Sequence, residues 1–99
     1  AGHEGHQNGR EVDVRPFRLD GRNAPTTWNS AQYDRNTTRE YVQMVRERQP
    51  GATVLFNDPV LIREGLTQGM MGMTTIYTFV WVDLGGVAKT DGSGFSRSR

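Results

Sequence analysis

The apolar residues of this chain are crowded toward its C-terminal third, and that asymmetry limits the folds open to it more than any other feature. From Leu66 to Ala88 the one side chain charged at neutral pH is Asp83. A stretch of that length exceeds the roughly 20 residues that cross a hydrocarbon layer of about 30 Å. Just upstream, Asn57-Asp58-Pro59 places a carboxylate at a helix N-cap and a proline at the first helical position, where its missing N–H costs nothing. Gly85-Gly86 offers a helix end. A helix over 59–85 would reach about 40 Å at 1.5 Å per residue, enough to span and project into water. Asp83 would then lie close to an interface, where a carboxylate costs least. A competing reading is open, because Thr74 to Val82 is rich in β-branched and aromatic residues that suit a strand buried on both faces. The Asp-Pro start, the Gly and Thr content, and Tyr77 and Trp81 near one end favour the crossing. The sequence therefore predicts a mostly α chain: one transmembrane helix preceded by a short amphipathic helix and an extended N-terminal arm, with no independent globular core.

Ninety-nine residues hold at most one domain. Twelve basic and eleven acidic residues are interleaved for a formal charge of +1, and arginine supplies every cation but Lys89, so no basic stripe for nucleic acid stands out. With no cysteine there is neither a disulfide framework nor a thiolate metal site. His3-Glu4-Gly5-His6 lacks the helical spacing of a zinc-binding histidine pair, and no phosphate loop or nucleophile elbow is present. Met70, Met71 and Met73 read as apolar filler, not as a soft-metal site. No catalytic, cofactor-binding or metal residue is predicted.

Five segments follow. Residues 1–32 form a polar arm, with Val12-Asp13-Val14 at most a short edge strand and with Phe17 and Trp28 as the side chains able to seat on a partner. Residues 33–50 carry an amphipathic period, with Thr37 and Glu40 matching a capping box that sets the helix start near Thr38. Its apolar arc includes Tyr41 and Val45, the second pair of predicted partner contacts, and Pro50-Gly51 stops it. Residues 51–58 connect, through the brief apolar run Ala52 to Phe56, to the helix of 59–88, and 89–99 reads as a flexible basic tail. Within that helix Gly65, Gly69 and Gly72 would form one nearly flat side. Thr74 and Thr78, four residues apart, would add hydrogen bonds, making these five the predicted helix-packing interface.

Asp58-Pro59 at the helix entry, Gly69 and Gly72 within the crossing, Asp83 at its end and the histidines of the N-terminus together resemble a beta-subcomplex accessory family of mitochondrial complex I. The resemblance covers roughly 56–83; the long arm before the helix differs from that family. It implies a non-catalytic accessory subunit, single-pass in the mitochondrial inner membrane, without cofactor, whose partners are other subunits of the respiratory complex and lipid. The strand reading implies instead a small soluble structural or interaction protein, such as a phage or capsid component, with 52–56 and 74–84 in a sheet completed by partner chains.

Overall fold

A computed structural model describes residues 10–80 of the chain. Its elements run β1 (Arg10–Val14), α1 (Arg35–Arg48), β2 (Thr53–Leu55), α2 (Pro59–Arg63) and β3 (Ile76–Val80). The three strands form one antiparallel sheet in the order β1-β3-β2. The last strand in sequence is thus the central one, with Thr78 opposite Val12 on one side and Val54 on the other.

The mostly α, membrane-crossing prediction is overturned here. Among the described residues no helix is long and apolar enough to cross a membrane, which removes the single-pass, inner-membrane placement with it. Asp58 does cap a helix, accepting from the Val60 amide, and Pro59 does begin it, but that helix lasts five residues. Its end is built into the chain: Gly65 takes φ +78°, the Gly65 N–H donates to Ile62 O, and the Leu66 N–H donates to Leu61 O. These are the two bonds of a Schellman cap, which needs a left-handed residue at Gly65's position. The residues predicted as helix 59–88 then turn through a loop and enter β3, and 81–88, Asp83 and the tail 89–99 lie outside the described residues. His3 and His6 lie outside them too.

α1 occupies Arg35–Arg48, inside the segment whose period predicted a helix, but its cap is not Thr37. Asp34 holds that place: its Oδ1 accepts from the Thr37 amide at 3.0 Å and its Oδ2 from the Thr37 hydroxyl at 2.7 Å. The face formed by Tyr41, Val42 and Val45 is fully buried, not against a neighbouring subunit but against this chain's own sheet. These side chains share one core with Val12, Val14, Val54, Phe56, Leu61 and Ile76. A globular core therefore exists where none was predicted, because alternate residues of three short strands each contribute to it.

The N-terminal arm is likewise folded in. Past β1 the chain closes a loop at its neck, where the Leu19 N–H donates to Gln32 O and the Asp34 N–H donates to Phe17 O. Phe17 and Trp28, predicted to seat on a partner, pack against the chain's own core, with the Phe17 ring 5.5 Å from that of Tyr41. The arrangement is that of an Ω-loop, compact and with adjoining ends.

The cap at Gly65 yields a direct test. An alanine there meets no neighbouring atom but must adopt φ +78°, so Gly65→Ala should lower unfolding free energy by about 1 kcal/mol. Gly51→Ala, equally unobstructed and not in the left-handed region, should not show this loss. Equal urea midpoints for the two variants would count against the cap.

Candidate functional site

The most concentrated chemistry in the described residues surrounds Asp58, whose side chain is 0 % exposed. Its Oδ2 accepts from the Tyr33 hydroxyl at 2.7 Å and from Arg35 Nε at 2.7 Å. Its Oδ1 accepts from Arg35 Nη2 at 3.2 Å and from the Val60 amide at 2.9 Å. Burial alone pushes this carboxyl up, but the hydrogen bonds from Arg35, Tyr33 and Val60, with the Arg35 charge, outweigh it and hold the group below the usual carboxylate value. The Tyr33 phenol is raised, first by burial and then by its bond to Asp58. Arg35 also lies 5.7 Å from the Tyr33 ring centroid. Every acceptor position of the carboxylate is taken by the protein itself, so this cluster fastens segments together and does not present a reactive group. Among the described residues no group of three His, Cys, Asp or Glu could hold a metal ion.

The predicted helix-packing residues are not brought together on a helix. Gly65 caps α2; Gly69 sits where a Cβ would lie 3.2 Å from Ile62 Cδ1 and 3.4 Å from Asn57 Oδ1. Gly72, at φ +80°, sits in a turn closed by the Met73 N–H donating to Met70 O, as a type II turn requires. Asn57 pins this turn, donating to Met70 O and Met73 O and accepting from the Met70 amide. Thr74 is exposed on the approach to β3, whereas Thr78 is buried in it. Tyr41 and Val45 are fully buried in the core and so cannot be the surface contacts predicted of them.

What the fold presents outward is the other face of the sheet. Because side chains alternate, Val12, Val14, Val54, Ile76 and Thr78 point to the helices. The register then lines up Asp13, Tyr77 and Leu55 in one row of the opposite face and Glu11, Phe79 and Thr53 in the next. Leu55, Tyr77 and Phe79 are half-buried, and none of them belongs to the core that the helices cover. Glu11 and Asp13 are exposed beside them. The Tyr77 phenol is raised by partial desolvation first, then by the charge of Glu11 and a hydrogen bond with it, and by Asp13.

The two edges of the sheet differ. β2 is covered where the Phe56 N–H donates to Gln68 O and the Gln68 N–H donates to Val54 O. β1 has only β3 as a strand partner among the described residues. Glu11 and Asp13 were missed in the sequence reading; the alternation Val12-Asp13-Val14 was the available signal, too short by itself to define a strand. Tyr33 and Arg35 as partners of Asp58 left no local signal, being 25 and 23 residues away.

No family model, curated protein or solved structure matches this chain. The resemblance to the accessory family rested on a membrane-crossing helix opened by Asp58-Pro59; that pair opens a five-residue helix instead, and Gly69 and Gly72 lie in the loop beyond it.

The Asp58 cluster fixes a pH dependence. Its folded-state pKa is depressed, so its contribution is complete above the unfolded value of about 3.9 and disappears as pH falls through the folded one. Urea titrations from pH 7 to pH 2 should show stability falling below about pH 4. Asp58→Asn should be less stable at pH 7 by about 3 kcal/mol, with a shallower acid limb. An acid limb as steep as the parent's would show that another carboxylate controls it.

Proposed function

We propose that this chain is a structural or interaction module whose sheet is completed by a partner chain, with no reaction of its own. The observation that carries the reading is the combination of a core on one face of the sheet with an apolar pair in one row of the other face, Leu55 and Tyr77, next to a strand edge that no other described segment occupies. Exposed edges present unpaired N–H and C=O groups to any extended segment that fits. Adding a strand there supplies main-chain hydrogen bonds, while the outer row supplies side-chain contacts that select the partner.

The charges within β1 disfavour a second copy paired about Val12 or Glu11. If two β1 strands pair antiparallel about Val12, each Glu11 stands opposite an Asp13. Shifting by two residues, which keeps the same faces together, sets Glu11 against Glu11, or Asp13 against Asp13 with each Glu11 then opposite Arg15, one residue past β1. Like charges directly opposite are destabilising, and a Lys or Arg in the facing strand is favourable by roughly 0.2–1 kcal/mol per pair. The chemistry suits an extended segment with cations on one face.

Site-specific photo-crosslinking tests this. A benzophenone side chain at position 13 or 77 should yield adducts with a discrete partner in the cells that make the protein, whereas one at exposed Gln43 on α1 should not. Adducts from position 43 alone would contradict the proposal.

A further inference from the structure

The outer edge of β1 carries Glu11 and Asp13, both exposed and two residues apart on the face turned away from the helices. A strand laid along that edge meets them with every second side chain, so the strand that fits best has two cations at the same spacing. Lysine and arginine stand two apart at two places in the sequence, Arg46 with Arg48 and Arg97 with Arg99. The first pair belongs to α1. Residues 1–9, which lead directly into β1, hold neither lysine nor arginine. The second pair lies beyond the described residues in Phe95-Ser96-Arg97-Ser98-Arg99, where an extended backbone sets Phe95, Arg97 and Arg99 on one face and both serines on the other.

Charge and core together select the register. An antiparallel strand with Arg97 opposite Asp13 has Arg99 opposite Glu11 and Phe95 opposite Arg15, whose guanidinium can lie on the ring. The serines then fall opposite Val12 and Val14. Slipping by one residue turns both guanidiniums toward the side of Val12 and Val14, which are 8 % and 0 % exposed, and leaves the two carboxylates facing serines. Slipping by two keeps at most one of the two charge pairs.

The contact is within reach of the same chain. β3 ends at Val80 beside Arg10, and the outer edge of β1 lies two strand spacings from β3, about 10 Å. Reaching the level of Arg15 adds about 17 Å along the strand, a path on the order of 20 Å in all. The 14 residues of 81–94 can span up to about 46 Å. Such a connection gives the segment an effective concentration in roughly the millimolar range, which favours it over the same segment of a second copy. We infer that residues 95–99 lie along the outer edge of β1 of their own chain as a fourth strand, with Arg97 on Asp13 and Arg99 on Glu11, and that a partner reaches the sheet by displacing them. The inference rests on the docking edge proposed above and adds to it a built-in competitor.

Nuclear Overhauser contacts in the purified, isotopically labelled full chain test it. Backbone contacts should link 97 to 13 and 99 to 11. Arg97→Glu with Arg99→Glu should abolish them while contacts between β1 and β3 persist, and adding Glu11→Arg with Asp13→Arg should restore them. A mixture of labelled and unlabelled chains should show no such contacts between chains. In cells, the yield of partner adducts from a benzophenone at position 77 should rise several-fold in Arg97→Glu/Arg99→Glu. The inference is overturned by absent contacts in the parent chain, by contacts between chains, by contacts that survive the charge reversal, or by partner adducts whose yield the reversal leaves unchanged. Partner adducts without the intrachain contacts overturn the fourth strand and leave the docking role standing. Intrachain contacts without adducts from position 13 or 77 in either protein overturn the docking role, and the displacement with it.

Discussion

The fold depends on one strand being hydrogen-bonded along both edges. β3 joins β1, from near the start of the chain, to β2, from its middle, and neither outer strand touches the other in the sheet. Five residues of β3 therefore align two distant segments so that Val12, Val14, Val54, Ile76 and Thr78 present one surface. α1 covers that surface with Tyr41, Val42 and Val45. The Tyr41 phenol, pushed up to about 12 by burial, is held beside Thr78 of β3. A chain with so few apolar residues can hold a core because its fully buried ones, Tyr41, Val42, Val45, Val14, Phe56, Leu61 and Ile76 among them, converge on this single surface.

The buried Asp58 carboxylate sets how the other segments meet that surface. It ties the loop neck through Tyr33, the first turn of α1 through Arg35 and the start of α2 through Val60. Arg35 keeps its side chain 37 % exposed while Asp58 is fully enclosed, so only one member of the ion pair is taken wholly out of water. A surface pair, Arg39 with Glu64, links the same two helices from outside at 2.9 Å and adds little by comparison.

How legible this was in the sequence differs by element. The period of 33–50 and the Asp58-Pro59 start reflect local rules, and both correspond to helices. What stopped α2 was also local, but Gly65 fits a helix cap and a small-residue packing stripe equally well; only the partner bonds from Gly65 and Leu66 separate them. β3 was hidden for a different reason. Its buried positions alternate with Tyr77 and Phe79, which are apolar too, so the two-residue period of a half-buried strand vanished into a continuous run. The same substitution of apolar for polar residues on the outer face is what the proposed docking role rests on. That no other described segment pairs with the outer edge of β1 was not legible, since the sheet is assembled from segments far apart in the chain.

Cross-strand proton distances test the central strand most directly. If β3 lies between β1 and β2, nuclear Overhauser contacts should link the backbone of Thr78 to Val12 and also to Val54, with strong sequential amide-to-Hα contacts through 76–80. Helical contacts between residues three apart across 74–80, with no link to either Val12 or Val54, would contradict it.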